Sequence, residues 1–515
     1  MRVFNINKAI GLASSGVEYA QVYRRELFAG IPAVDDYYVF TDYIPTNLSV
    51  FTDRLGFRRD QVLWIYDLVA GRTTRPSTLT VDDYLARVGQ PHEVAPAIPE
   101  YTDVALTGSP VRYRIRTVIG AIVDRVETIV GDRIVRIEHY DETLHDIEYF
   151  HDGRLVRRVF YTDDGRVAAE QFYRNDEILR TLITSASPLY TQRLRAGRER
   201  PVTFGGDLVL EGRAQFFQLV FAQLFSRPDD VVIVDRALDV IDGIYPVIGA
   251  HRLYSIVHAE HFDPRQLEDG VLLWNNHYEF VFTRPDLVDG FIVSTHRQQE
   301  VLEAQLAERM PEGSFSVARI PVGFVAAPAS SPEYERFALV TASRLADEKH
   351  LDVLVRAVAA ARATLPELRL DIYGEGNREP LLAVIEETKS QEFIRLMGHQ
   401  KLEGLLGPYG LYVSASTSEG FGLSMLEAIA EGLPIVGLDV DYGNREMVES
   451  GVNGRLAPHT NAEGDAAALA DAIVEVLTDA PLDELRAASL RKAEEFTAAQ
   501  VRQLWEDLLF GGAPC

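Results

Sequence analysis

Glu419, Gly420, Phe421 and Gly422 follow the apolar run LYVSAS, and Glu427 sits just over one turn into the helical pattern that opens near Leu423. Two glycines in such a place let backbone amides approach a ligand, and a helix N-terminus carries the partial positive charge that suits a diphosphate. Glu427 can then accept the two hydroxyls of a ribose, while Glu419 faces the position where a hexose hangs from the diphosphate. The competing reading is a loop of solvated glutamates. Arg344 and Lys349, in ASRLADEKHLDVLVRA, flank the turn between another apolar run and the next helix. Cations there oppose the helix dipole, a local cost that a phosphate-binding role explains, and they can neutralise charge growing on a departing diphosphate without a metal. An exposed Arg and Lys at a helix start is the alternative.

Two weaker clusters lie earlier. Ser14, Ser15 and Gly16, with Val17 behind them, enter a helix after the first apolar run. They resemble a phosphate-proximal turn but lack the three glycines of dinucleotide-binding folds, a weak signal on its own. His258 and His261 follow the run YSIV, where a histidine either hydrogen-bonds a sugar or sits satisfied in the core. No Gly-x-Ser-x-Gly elbow, Walker lysine loop or His-Glu-x-x-His helix occurs, and DVD at 439–441 reads as loop rather than as a metal-binding carboxylate pair.

The elements that must carry these residues are of two kinds. RVFNIN, YYVFTDY and QVLWIYDL read as short strands of an α/β segment over 1–70, and the same texture returns from 202 to 320. Between them, over 71–201, polar and apolar residues alternate; an antiparallel meander is expected at about 105–182, with Asp152-Gly153 and Asp164-Gly165 suited to type I′ hairpin turns. That sheet is either decoration or a platform for an acceptor or partner. From 321 to 490 strands alternate with helices expected at 349–364, 378–389, 401–407 and 423–431, the pattern of a doubly wound parallel sheet. An amphipathic segment, 491–515, is expected to pack back on the first α/β part.

At 515 residues the chain exceeds one core, and its net charge of -26 opposes general attraction to nucleic acid or anionic lipid. Arg193, Arg195, Arg198 and Arg200 form a local basic strip able to hold a polyanion. Cys515 is the only cysteine, which excludes an internal disulfide, and no segment approaches the roughly 20 apolar residues of a membrane span. The expectation is a cytoplasmic protein.

SEGFGLSMLEAIAEGLPIVG, the Arg344/Lys349 cluster and GHQ at 398–400 resemble the donor half of retaining glycosyltransferases of family 4. NINKAIGLASSGVEYAQVYRRELF, TVDDYLARVG, VHAEHF, LLWNNHYEFVF and DYGNREMVESGVNG are similar, more narrowly, to catalytic subunits that place the first N-acetylglucosamine on Ser/Thr of serine-rich repeat adhesins before accessory Sec export. The resemblance implies a GT-B fold of two Rossmann-like domains, a UDP-N-acetylglucosamine donor, no metal or other cofactor, and a sister subunit in a hetero-oligomer. It implies that Ser15, Gly16 and Val17 contact the nucleotide, His399 and Gln400 the uracil side, and Glu427 the ribose. His258 and Glu419 through Gly422 would contact the sugar, and Arg344 and Lys349 the diphosphate. The N-terminal turn has one glycine where many members have two, which weakens the nucleotide assignment there. A related wall teichoic acid α-glycosyltransferase and a non-catalytic sister subunit are the alternatives.

Overall fold

The computed structural model describes residues 1–10, 16–44, 48–90, 92–94, 100–119, 122–190, 202–262, 272–310, 315–329 and 333–511. Ser14, Ser15, the four arginines of the basic strip and Cys515 therefore lie outside the described residues. The chain divides into two compact units, 1–18 with 32–255 and 19–31 with 256–515.

In the first unit, parallel strands run in the order Arg252–Val257, Val231–Val234, Arg2–Asn7, Asp35–Phe40, Val62–Trp64. Val3 is in register with Val231 on one side and Asp36 on the other. All four residues of Val231–Val234 are buried, as expected of an apolar run covered on both faces. QVLWIYDL is not one strand: after Trp64 the chain turns into helix Ile65–Ala70, ended by Gly71 in the left-handed region.

An eleven-stranded antiparallel sheet follows. It begins at His92–Val94, runs in chain order to Glu177–Ile183, and ends with Asp207–Glu211 and the edge strand Thr203–Phe204. It is thus wider at both ends than the meander read from alternation. Asp152 and Gly153 both have positive φ, as a type I′ turn requires. At Asp164-Gly165 only the glycine does, and the register shifts after Phe160, so this hairpin closes with a bulge instead.

A buried charge cluster joins this sheet to helix Ile65–Ala70. The ring of His145, on strand Leu144–His151, lies 2.9 Å from Asp67 and 2.6 Å from Asp146. The Tyr43 hydroxyl donates to Asp146 at 2.8 Å, and Thr74 donates to the second oxygen of Asp67 at 2.6 Å. Arg158 lies over the Tyr43 ring and pairs with Glu148, which also meets His139 at 3.0 Å. Burial opposes a charge on His145, but the hydrogen bonds its ring donates to Asp146 and Asp67 outweigh it and push its pKa up to about 10. Buried charge is tolerated here because every member has a partner.

The second unit holds a six-stranded parallel sheet in the order Ile394–Gly398, Arg369–Tyr373, Glu335–Ala342, Tyr409–Val413, Ile435–Leu438, Gly454–Ala457. Helices Leu351–Ala361 and Ala462–Thr478 bury Val355, Val358, Leu469 and Ile473 in the core that also holds Leu339, Leu411 and Val436. Helices Glu379–Glu387 and Leu423–Ala430 fall where expected, but 401–407 is a series of turns, not a helix. Gly404 adopts a positive φ there, and its N–H and that of Gly407 each donate to Glu431 at 2.6 Å. A carboxylate at the end of helix Leu423–Ala430 thus replaces helical hydrogen bonding in this segment. The C-terminal amphipathic run is two helices, Leu482–Ala493 and Ala498–Phe510, separated by the 3-10 turn Glu494–Phe496 and extended Thr497. Trp505 meets Phe28 edge-on at 5.2 Å and Arg24 at 5.4 Å, both on helix Gly16–Phe28. Among the described residues no helix is long and apolar enough to cross a membrane.

Candidate active site

In the six-stranded sheet, strand order reverses between Glu335–Ala342 and Tyr409–Val413, and a crevice at such a switch point is where open α/β sheets hold ligands. The two loops leaving those strands carry Arg344 with Lys349, and Glu419 with Gly420.

The second loop is shaped by close backbone approach. A Cβ at Gly420 would lie 2.3 Å from the His258 carbonyl oxygen, and one at Gly443 would lie 2.4 Å from that of Phe421. Only glycine fits either position. The Gly443 N–H donates to the Glu419 carbonyl at 2.8 Å, fixing the loop from beneath. Gly422, at φ 87, then starts helix Leu423–Ala430, and no side chain among the described residues caps it. Its first amides remain available to an anion.

Lys349 Nζ donates to Glu419 Oε1 at 2.5 Å, with the two side chains 15% and 18% exposed. Arg344 stands on the same turn, but its guanidinium is 64% exposed and pairs with Glu348 at 2.9 Å. It is poised beside the crevice rather than locked into it. Two residues that sequence reading missed hold this turn. Cβ atoms at Gly374 and Gly376 would lie 1.8 Å and 2.5 Å from the carbonyl oxygens of Ser343 and Leu345, so both glycines press edge-on against the Arg344 segment. Their signal was legible as Gly-x-Gly directly after the apolar run LDIY.

Glu427 lies one turn along the helix, half-buried. Burial, then the carboxylates of Glu431 and Glu403, push its pKa up to about 7, against the opposing pull of Lys401. The Tyr23 phenol faces it, and burial followed by the Glu427 charge raises that group's pKa in turn. His399 and Gln400 are exposed just beyond strand Ile394–Gly398.

The two histidines separate cleanly. His258 is half-buried beside Gly420. His261 is fully buried, meets Gln305 at 2.9 Å, and packs against Tyr442 and Trp274; burial lowers its pKa to about 4. His261 is a core residue. Gly16 and Val17 open helix Gly16–Phe28, with open space where a Gly16 side chain would project. Asp439 and Asp441 both pair with Arg445, so DVD is loop chemistry as read from sequence. Among the described residues no group of three or more His, Cys, Asp or Glu side chains could hold a metal ion.

Residues 336–479 match the family model for glycosyl transferases group 1, and 109–182 match the GtfA extended beta-sheet domain. The UDP-N-acetylglucosamine–peptide N-acetylglucosaminyltransferase GtfA subunit of Streptococcus gordonii is 35% identical over 99% of this chain and 98% of its own. The crystal structure of the pneumococcal O-GlcNAc transferase GtfA in complex with UDP and GlcNAc superimposes with a TM-score of 0.88 at 32% identity, covering 99% of this chain and 98% of that one. A crystal structure of a GtfA/B complex gives 0.86 at 33% identity, covering 99% of each chain. TarM, at 16% identity and a TM-score of 0.76, shares the fold alone. With full-length identity at this level, a GT-B fold and an antiparallel sheet recognised in its own right, the chain belongs to the GtfA-subunit family of glycosyltransferases.

Proposed function

We propose that this chain transfers N-acetylglucosamine from UDP-N-acetylglucosamine to Ser/Thr hydroxyls of a serine-rich protein, with retention of configuration and without a metal. The observation that carries the reading is the Lys349–Glu419 pair beside the uncapped helix start at Gly422, with Glu427 on the same helix. A cation, free amides and a hydroxyl acceptor are thereby collected within one loop and one helix turn, which is what a sugar diphosphate offers partners for.

In this reading Glu427 accepts the ribose hydroxyls, while His399 and Gln400 border the uracil. Ser15, Gly16 and Val17 are assigned to the nucleotide. Arg344 and Lys349 stabilise the diphosphate as the bond from the anomeric carbon to its phosphate oxygen breaks and the electron pair leaves with UDP. His258, Glu419, Gly420, Phe421 and Gly422 hold the sugar. The acceptor oxygen bonds to the anomeric carbon on the face the diphosphate vacates and surrenders its proton to the departing phosphate oxygen. The antiparallel sheet serves as platform for an extended acceptor and for a sister subunit; the likeness to a chain crystallised as a GtfA/B complex supports that partner. The α/β parts at 1–70 with 202–320 and at 321–490 are the acceptor-side and donor-side domains. The setting is the cytoplasm, ahead of accessory Sec export of an adhesin.

Mass spectrometry of a Ser/Thr-rich polypeptide incubated with the chain, with and without co-expressed sister subunit, tests the proposal. UDP-N-acetylglucosamine should give mass additions of one HexNAc, and chelator should leave them intact. Labelling of a polyol-phosphate polymer with none on the polypeptide would move the assignment to teichoic acid. No turnover of any UDP-sugar would make the chain a non-catalytic partner.

A further inference from the structure

We infer that Tyr278 is a positioning residue of the transfer reaction: its hydroxyl oxygen fixes the backbone that presents His258 to the sugar. This rests on the reading of His258 given above. The Tyr278 oxygen accepts the N–H of His258 at 3.1 Å and that of Ala259 at 3.2 Å, while the ring itself is 6% exposed. A phenol oxygen has two lone pairs, and here consecutive backbone donors use both.

The rest of the His258–Phe262 segment is tied as closely. Gln298 Nε2 donates to the Ala259 carbonyl at 2.8 Å from the first turn of helix His296–Arg309. Asn275 Nδ2 donates to the Glu260 carbonyl at 3.0 Å, and the Asn275 N–H donates to that of His261 at 2.9 Å. Helical or sheet hydrogen bonds would ordinarily satisfy the N–H groups of His258 and Ala259 and the carbonyls of Ala259 and Glu260; three side chains do it instead. The outer side of the segment meets the sugar loop, where Gly420 packs against the His258 carbonyl. An error in the height of His258 is therefore transmitted to Gly420. Gly420 closes on the His258 carbonyl while Tyr278 holds the N–H groups of His258 and Ala259. Angstrom-scale misplacement of a group that touches substrate costs turnover more than it costs ground-state affinity.

The test is Tyr278→Phe in the full chain, which keeps the ring packing and deletes the acceptor. Expected are faster deuterium uptake confined to the segment at 258–260, about a tenfold fall in kcat for UDP-N-acetylglucosamine hydrolysis and transfer, and UDP affinity within about twofold of the parent. In a His258→Ala background the same substitution should change kcat by less than about twofold, because the group it positions is gone. Gln298→Leu should repeat the pattern and serves if Tyr278→Phe melts early. Unchanged uptake at 258–260 would overturn the clamp, and an equal penalty in both backgrounds would reduce Tyr278 to general support. Full activity of His258→Ala would instead sink the His258 assignment and the positioning role with it, while the uptake measurement still judges the clamp.

Discussion

Two groups of charges in this molecule are built on opposite terms. In the first unit Asp67, His145, Asp146, Arg158 and Glu148 are sealed among Tyr43, Trp64 and Tyr66, and each has its partner within the protein. In the second unit Lys349 and Glu419 pair at a half-open crevice, Arg344 reaches into solvent, Glu427 is held near the midpoint of its titration, and a helix start is left uncapped. Saturated charge fastens one element to another. Charge held only by partly exposed pairs, on loops shaped by close-packed glycines, is ready for a ligand.

The strongest way to break that contrast is to attack the saturated cluster. His145→Ala leaves Asp67 and Asp146 facing each other in the interior, and losing one partner of a buried ion pair costs about 3–5 kcal/mol. Chemical denaturation should show that loss, with UDP affinity of the folded fraction unchanged. The pH dependence follows from the same residue. Its folded pKa of about 10 exceeds the ordinary 6.5, so its contribution is whole below pH 6.5 and drains away as pH rises through about 10. Stability measured across that window should fall in the parent more than in His145→Ala.

The open site should respond the other way. Lys349→Ala is expected to lower turnover about 10²–10³-fold, the cost of removing one donor to developing transition-state charge. Its denaturation midpoint should scarcely move, because a partly exposed pair contributes about 0–1 kcal/mol. Arg344→Ala should likewise reduce kcat more than donor affinity. A destabilisation by Lys349→Ala as large as that by His145→Ala would erase the distinction between the two regions.

Glu427 sharpens the comparison by an intermediate amount. Loss of a hydrogen bond to a charged group is worth about 1.5–3 kcal/mol, so Glu427→Ala should weaken UDP binding roughly ten- to hundredfold in calorimetry. Because the folded pKa lies at about 7, the carboxylate proposed to accept the ribose hydroxyls fills as pH rises through neutrality. UDP should bind more tightly on the alkaline side, and Glu427→Gln should remove that part of the dependence; the groups facing this carboxyl are Tyr23, Glu431, Glu403 and Lys401. The smallest expected effect is that of chelator on turnover, which should be none.

The open site was legible in the sequence because its parts are local. Glu419, Gly422 and Glu427 span nine residues of one loop and helix, and Lys349 follows a strand whose apolar run is plain. The saturated cluster was not legible, since His145 meets Asp67 across 78 residues and neither belongs to a spacing that chemistry singles out. The same reason explains the misread elements. KLEGLLG has the leucine spacing of a helix, but Glu431 reaches back to pair Gly404 and Gly407 in turns. QVLWIYDL reads as one strand because its apolar residues do not reveal that the sheet ends at Trp64. Between His258 and His261 only burial could decide, and burial is a property of the fold.

The bond between His145 and Asp67 also bears on how this antiparallel sheet can be inherited. Asp67 lies outside the sheet, on the short helix before it, while His145 and Asp146 lie within. A graft of 92–211 into a related chain would bring the histidine with Asp146 but without its second carboxylate, Asp67, unless the recipient already carries an acid at the matching place. The transplantable cassette therefore starts no later than Ile65, and recombination between relatives is expected to tolerate crossovers upstream of that helix far better than crossovers just before the first strand of the sheet.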